Sequence, residues 1–185
     1  MPFEIKNTDF SGVKIITPQI FKDNRGFFLE IFKESDMNKI GINEKFVQDN
    51  VSSSSINTIR GMHFQNGKFA QGKLVSVIKG KILDVIVDLF EESSTFGEYR
   101  IFELDSIKRE MLYIPPGYAH GFRAIDENTL VLYKCTHEYS KGNEGGIHPF
   151  DEKLNIDWGI KKEQAIVSEK DKALPSFVEA IKIFS

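Results

Sequence analysis

Residues 73–89, with the sequence KLVSVIKGKILDVIVDL, decide the fold class of this chain. Gly80 separates two runs that are rich in valine and isoleucine. In the second run every second residue from Leu83 onward is apolar, which places Asp84 and Asp88 on the other face. A two-residue period with β-branched side chains is typical of a strand, and a glycine between two such runs is typical of a turn. The stretch therefore predicts a β-hairpin.

Short runs of the same kind continue in both directions along the chain. The predicted strands are 13–16, 26–32, 46–51, 58–65, 73–79, 81–89, 97–104, 111–114, 121–125 and 129–136. A short helix capped by Ser35 is predicted at 36–40, with further helical pieces at 161–164 and 177–183. Because helices do not alternate regularly with these strands, the pattern favours a β-sandwich or barrel over a parallel α/β sheet.

Composition narrows the classes of function. A length of 185 residues predicts one domain, 1–185, and a net charge of −3 argues against nonspecific nucleic-acid binding. The start has no signal-peptide core and no apolar run approaches membrane-spanning length, so a cytoplasmic protein without membrane contact is expected. Cys135 is the only cysteine, which excludes an intramolecular disulfide and a multi-cysteine zinc site. The 16 phenylalanines suggest a core or an oligomer interface built on rings.

Residues 60–65, RGMHFQ, place an arginine and a histidine three positions apart on a predicted strand. Arg60 carries a permanent planar cation suited to phosphate, and His63 carries an imidazole, the usual base at neutral pH. An isolated pair of this kind is more often structural than functional. Strict alternation also places the two side chains on opposite faces. Two explanations stay open: a bulge at Gly61 re-aims one of them, or Arg60 points toward a partner subunit.

Residues 114–122, IPPGYAHGF, resemble the second signature motif of the cupin jelly roll, in which Pro and Gly shape a tight turn that delivers a histidine into the barrel. Metal-binding cupins also carry a His-x-His and Glu cluster on an earlier hairpin. The corresponding stretch here, 80–88, contains no histidine. His120 alone does not supply the several ligands that a tightly held divalent ion needs, so we expect no metal.

An ordered set of motifs resembles the dTDP-4-dehydrorhamnose 3,5-epimerase family, whose members act on nucleotide-linked 4-keto sugars. The matching stretches are 23–30 (DNRGFFLE), 48–50 (QDN, with the serines that follow), 60–65, 71–75 (QGKLV), 84–88 (DVIVD), 94–97 (STFG), 116–122, 133–136 (YKCT) and 168–171 (SEKD). They run in order over 23–175, nearly the whole chain. The resemblance implies an all-β fold, a cupin jelly-roll barrel with short peripheral helices, in a single domain.

The resemblance also implies roles for individual residues. His63 is the general base, Asp171 the carboxylate that orients it, Lys73 the group that steadies the enolate, and Tyr133 the acid on the opposite face. The positions that match the family's substrate-binding residues are Arg25, Glu30, Gln48, Asn50, Arg60, His120, Tyr139, Glu144 and Lys170. Tyr139 matches the aromatic residue that stacks on the nucleotide.

The implied activity is epimerisation by a homodimer of one or both carbons next to the ketone, C3 and C5, of a nucleoside-diphosphate 4-keto-6-deoxy sugar. The favoured case is conversion of dTDP-4-dehydro-6-deoxy-D-glucose to dTDP-4-dehydro-L-rhamnose. The chemistry needs a base, an enolate-stabilising cation and an acid but no redox cofactor, and the chain has no G-x-G-x-x-G fingerprint to hold one. Three alternatives stay open: inversion of one centre or of a different sugar, such as a GDP-linked heptose; a cupin keto-isomerase; and a sugar-binding cupin without catalysis. Intact His63, Lys73, Tyr133 and Asp171 weigh against the last.

Overall fold

A computed structural model of the protein describes residues 3–184. The strands are β1 (Phe3–Asn7), β2 (Lys14–Pro18), β3 (Phe21–Asp23), β4 (Gly26–Phe28), β5 (Gln48–Ser54), β6 (Thr58–Gln65), β7 (Lys73–Lys79), β8 (Lys81–Asp88), β9 (Tyr99–Asp105), β10 (Met111–Ile114), β11 (Tyr118–Ala124), β12 (Thr129–Cys135), β13 (Glu144–Gly146) and β14 (Ile166–Val167). The α-helices are α1 (Glu34–Lys39), α2 (Glu169–Lys172) and α3 (Phe177–Phe184). Short 3-10 turns lie at Gly67–Phe69, Lys141–Asn143 and Lys162–Gln164.

Two antiparallel sheets face each other. The first has the strand order β1-β2-β10-β7-β12-β5, and the second has the order β13-β6-β11-β8-β9, with β14 added in parallel to β6. Strands β3 and β4 form a separate hairpin. The β7–β8 turn at Gly80 links the two sheets, so the predicted hairpin stretch spans the sandwich and its two arms pair with different neighbours.

Along the central strands, side chains alternate between the space between the sheets and the outer face of each sheet. Val75 and Val77 of the first sheet and Ile82 and Ile86 of the second meet in one buried cluster between the sheets. The opposite face of the second sheet is covered by the C-terminal segment, whose largest buried side chain is Trp158. The opposite face of the first sheet is covered by the segment around α1. Both faces of each sheet are therefore buried around the middle strands, which is why these strands contain so few charged residues.

Most predicted elements are confirmed within a few residues, and two are corrected. The strand predicted at 26–32 ends at Phe28, because β4 pairs only with the three residues of β3. The helix predicted at 36–40 with Ser35 as cap is α1, which begins earlier, after Lys33. The Lys33 carbonyl accepts the first helical hydrogen bonds, so Ser35 lies inside the first turn. Strands β1, β3, β13 and β14 were not predicted; all except β1 are three residues or shorter.

The β3–β4 hairpin exposes three rings, with Phe21, Phe27 and Phe28 at 50%, 53% and 64% exposure. The Arg109 guanidinium lies 3.9 Å from the centre of the Phe27 ring. No helix among residues 3–184 is both long enough and apolar enough to cross a membrane.

Candidate active site

Two adjoining cavities are lined by residues from both sheets. Their volumes are about 540 Å³ and about 430 Å³. His63, Lys73 and Tyr133 line both cavities and therefore stand where the two meet. The first cavity is also lined by the predicted site residues Arg60, His120, Lys170 and Asp171, and the second by Gln48, Asn50, Tyr139 and Glu144. The structure thus brings together every predicted site residue except Arg25 and Glu30.

A bulge in β6 brings Arg60 and His63 to the same cavity. In the pairing with β11, His63 lies opposite His120 and Arg60 lies opposite Phe122, so three steps on β6 match two on β11. The extra residue is Gly61, at φ +113°, where a Cβ would come within 2.6 Å of the Gly121 Cα. Only glycine fits this approach, and the predicted bulge at Gly61 is confirmed.

His63 and Asp171 form a hydrogen-bonded pair on the wall built by the second sheet. The His63 Nε2 lies 2.8 Å from Asp171 Oδ1, and the backbone N–H of Gly61 donates to Asp171 Oδ2 at 3.2 Å. Ser168 is the N-cap of α2 and accepts a hydrogen bond from the Asp171 backbone N–H at 3.1 Å, which fixes the main chain that carries the carboxylate. Burial alone would raise the pKa of Asp171, but the hydrogen bonds from His63, Gly61 and Ser168 hold it below its usual range.

Lys73 and Tyr133 enter from the first sheet. Lys73 is only 9% exposed, and its ammonium donates to the His63 carbonyl at a long 3.4 Å. Burial lowers the pKa of Lys73 and raises that of the half-buried Tyr133. Both side chains reach the junction of the two cavities, and the raised pKa of Tyr133 leaves the phenol protonated at neutral pH.

A second histidine–carboxylate pair lies next to the first, since His120 on β11 is paired with His63 on β6. The His120 Nε2 is 2.9 Å from Asp84 Oδ2, and both side chains are buried. Burial lowers the pKa of His120, although Asp84 opposes that shift. Sequence reasoning placed His120 in the site but missed Asp84, whose signal was a carboxylate in the middle of an otherwise apolar strand.

Polar side chains at the mouth of the second cavity are joined into a network. Gln48 accepts a hydrogen bond from the Tyr139 N–H at 2.8 Å and donates to Asn50 at 3.0 Å. Glu144 accepts from the Tyr139 hydroxyl at 2.8 Å and from Lys170 at 2.7 Å. These two bonds hold the pKa of Glu144 below its usual range against the effect of burial. The Tyr139 ring is thus oriented yet 52% exposed, as a stacking platform would be.

Arg25 and Glu30 lie outside both cavities. Arg25 sits in the turn of the β3–β4 hairpin, 85% exposed, with its guanidinium bound to Asp23 at 2.6 Å. Glu30 is half-buried in the segment after β4.

Within residues 3–184, no group of three or more His, Cys, Asp or Glu side chains is placed to hold a metal ion. His63 and His120 are each engaged by a single carboxylate instead. The arrangement combines an oriented imidazole, a buried ammonium and a phenol, which together suit proton transfer at a carbon next to a carbonyl.

The sequence profile of the dTDP-4-dehydrorhamnose 3,5-epimerase family matches residues 7–179. The chain belongs to this family. It is 42% identical to the dTDP-4-dehydrorhamnose 3,5-epimerase of Methanothermobacter thermautotrophicus over 171 aligned residues. The aligned stretch covers 92% of each chain. The predicted family and the predicted enzyme class, an isomerase, are confirmed.

Solved structures of other epimerases share the fold. The dTDP-4-dehydrorhamnose 3,5-epimerase of Sulfolobus tokodaii superposes with a TM-score of 0.90 at 44% identity, covering 97% of this chain and 98% of that one. A dTDP-6-deoxy-D-glucose-3,5-epimerase from Legionella pneumophila Philadelphia 1, solved in complex with dTDP-4-keto-L-rhamnose, superposes with a TM-score of 0.89 at 40% identity, covering 94% and 92%. The predicted cupin jelly roll of the epimerase family is confirmed.

Proposed function

We propose that this epimerase inverts C3 and C5 of dTDP-4-dehydro-6-deoxy-D-glucose and yields dTDP-4-dehydro-L-rhamnose, with its own side chains as acid and base. The observation that carries the proposal is the meeting of His63, Lys73 and Tyr133 at the junction of the two cavities. The names of the 3,5-epimerase relatives support the same substrate. The proposal includes a cytoplasmic location and one catalytic unit over residues 1–185.

Deprotonation is the task of His63. Asp171 holds the imidazole by its Nε2, which leaves Nδ1 as the atom that takes the proton from the substrate carbon. As the imidazole becomes cationic, the adjacent carboxylate stabilises it. Because Asp171 is only 6% exposed, water screens this attraction little.

The electron pair left on carbon moves into the carbonyl, and the enolate oxygen then needs a positive partner. Lys73 supplies a buried ammonium next to His63. Tyr133 lies on β12 of the first sheet, whereas His63 lies on β6 of the second. A flat enolate between the sheets therefore presents one face to each, and a proton from Tyr133 inverts the centre.

The remaining residues bind the nucleotide. Arg60, held by Ser53 and Ser54 through hydrogen bonds of 2.9 and 3.0 Å, and Lys170 offer cations to the diphosphate. Hydrogen bonding to Glu144 raises the pKa of Lys170, so this cation keeps its charge. Tyr139 offers its exposed ring to the base. Gln48, Asn50, His120 and Glu144 supply further hydrogen-bonding groups to the ligand.

The proposal includes a homodimer. Phe21, Phe27 and Phe28 on the β3–β4 hairpin are half or more exposed, a costly arrangement unless a partner covers them. The same hairpin carries Arg25, which lines neither of the two cavities of its own chain. A second copy that buries the rings brings Arg25, and Glu30 just beyond, to the partner's diphosphate site.

The deciding experiment is proton NMR in heavy water with dTDP-4-dehydro-6-deoxy-D-glucose and its GDP-linked counterpart. We expect deuterium at C3 and C5 and inversion of both centres with the dTDP substrate. Exchange at one carbon alone would indicate a single-centre epimerase instead. Turnover of only the GDP sugar would indicate that the substrate carries GDP and not dTDP. Movement of the ketone would indicate a keto-isomerase. Binding without exchange would indicate a cupin that does not catalyse.

A further inference from the structure

Asp84 is a carboxylate that the reaction as described does not use. It lies in the middle of β8, paired with Phe122 on one side and Phe102 on the other. By alternation its side chain shares the inward face with Ile82 and Ile86, which pack between the sheets. It is fully buried, at 0% exposure. A charge in this position is costly unless it is compensated, which calls for a reason to retain it.

Only half of this carboxylate has a hydrogen-bonding partner. Oδ2 is 2.9 Å from the His120 Nε2, whereas Oδ1 is buried without a hydrogen-bond partner among residues 3–184. Because an Nε2–H donated to Asp84 sets the tautomer of a neutral His120, Nδ1 becomes the acceptor left for a ligand. Because Oδ1 accepts no hydrogen bond, part of the negative charge of the carboxylate is not compensated. This charge would stabilise a cation in the same interior.

Lys73 is that cation. Its side chain enters the same interior from the first sheet, and burial lowers its pKa, opposed by Cys135, Asp84 and Glu144 in that order. Cys135 acts on Lys73 only as a thiolate, and burial raises the pKa of this thiol, so it is neutral at neutral pH. Glu144 already binds Lys170 and Tyr139. Of the two carboxylates that favour the charged form of Lys73, Glu144 is thus already paired with another lysine, which leaves Asp84.

We propose that Asp84 is a positioning residue of the epimerisation, which orients His120 through Nε2 and places a buried negative charge in the interior that the Lys73 side chain enters. The inference rests on the proposed function, since it gives Asp84 a task only if Lys73 stabilises an enolate. The titratable groups around the Lys73 ammonium are those of His63, Asp84, His120, Tyr133, Cys135 and Glu144.

The test is Asp84→Asn, which keeps the shape and an acceptor for His120 but removes the charge. We expect kcat to fall about ten- to a hundredfold, the range seen when an outer partner of an active-site group is lost. KM and the affinity for dTDP should change less than about threefold, because Asp84 lines neither cavity. The alkaline limb of the kcat–pH profile should move to lower pH, because Lys73 loses its proton more readily without the counter-charge.

Asp88→Asn is the matched control. Asp88 lies on the same strand and face, is equally buried, and binds Ser93 and Thr95 in a loop outside both cavities. It should lower thermal stability while leaving the alkaline limb in place. An Asp84→Asn protein with an unmoved limb, whether kcat is normal or reduced, would overturn the inference and leave Asp84 a structural residue.

Asp84→Glu serves if the asparagine variant does not fold. The charge then stays inside the barrel but His120 is displaced, so kcat should fall while the alkaline limb stays close to that of the wild type. A normal kcat in this variant would also overturn the inference.

The proposed function and the role of Asp84 can fail separately. If the wild-type protein neither exchanges nor inverts the dTDP sugar, the proposed function is wrong. If the wild type is active and the Asp84→Asn variant is unaffected, only the role of Asp84 is wrong.

Discussion

His63 and Tyr133 enter the active site from opposite sheets, His63 from β6 in the second and Tyr133 from β12 in the first. Both line the junction of the two cavities. A base on one wall and a phenol on the other is the arrangement that inversion needs, because the proton must leave from one face and return to the other. The relationship makes the two residues separable by experiment.

Tyr133→Phe should uncouple exchange from inversion. The change keeps the ring and its packing, so a loss reports on the hydroxyl and not on a cavity. His63 can still remove the proton and return deuterium to the same face, so exchange with retained configuration should persist while inverted product falls steeply. Proton NMR in heavy water measures both. Loss of exchange together with inversion, in a folded variant that binds substrate, would contradict the assignment of Tyr133 as the opposite-face acid.

His63→Ala should abolish exchange at every carbon next to the ketone if His63 is the sole base. Loss of a general base lowers the rate by about 10²–10⁴-fold, while dTDP binding should change little. His148→Ala is the control, because His148 lines neither cavity and accepts a hydrogen bond from the Phe150 N–H. Exchange that survives at one carbon in His63→Ala would reveal a second base.

The sequence predicted the elements whose causes are local. The run 73–89 alternates clearly enough to give two strands to within one residue, and the family resemblance identified the residues around the junction. The bulge at Gly61 was predicted only as one of two explanations, since it depends on the close approach of Gly121 on another strand. No pattern within β6 itself specifies that neighbour.

The positions of Asp84 and Arg25 could not be predicted from the sequence, for other reasons. Asp84 was assigned to the face opposite an apolar stripe, which in an isolated hairpin would be the solvated face. Here that face is the barrel interior, because the C-terminal segment covers the apolar stripe from outside. Arg25 was predicted from a binding motif, but the direction in which a hairpin turn projects is set by tertiary and quaternary contacts, which a local motif does not specify.

Asp171→Asn should lower kcat strongly and change the acid dependence of stability. An amide that donates to His63 favours the wrong tautomer, a change that lowers kcat by up to about 10⁴-fold in a comparable triad. Because the folded pKa of Asp171 lies below its unfolded value of about 3.9, its stabilising contribution is present above that pH and is lost as pH falls through the folded pKa.

The stability difference between wild type and Asp171→Asn should therefore shrink between neutral pH and about pH 3, measured by urea unfolding at each pH. Asp151→Asn is the matched control, because Asp151 is also buried and receives backbone hydrogen bonds from Leu154 and Phe177 away from the cavities. It should lower stability and leave kcat nearly unchanged. A normal kcat in Asp171→Asn would remove Asp171 from the mechanism.

Lys73 should give kcat an alkaline limb below the ordinary lysine range. Burial lowers its pKa, so the active ammonium is lost as pH rises through a value under 10.5, whereas burial raises the pKa of Tyr133 and moves its titration higher. In Lys73→Arg the cation stays charged and the limb should move to higher pH. Lys73→Met should lower kcat by about 10²–10³-fold with little change in dTDP affinity. A limb shared unchanged by wild type and Lys73→Arg would assign it to another group.

The β3–β4 hairpin offers the sharpest test of a shared site. Phe27→Glu and Phe28→Glu together should give a monomer by light scattering, because two charges cannot be buried where the rings were. Val178→Glu, at a side chain 45% exposed on α3, should leave the dimer intact.

If Arg25 serves the partner's site, Arg25→Ala and His63→Ala homodimers should each be weak or inactive. Mixing the two under exchange of subunits creates heterodimers in which one site has both an intact His63 and a partner with intact Arg25. Activity should then recover toward half of wild type per heterodimer. No recovery, with subunit exchange shown by mass spectrometry of differently tagged chains, would confine Arg25 to its own subunit and contradict the shared site.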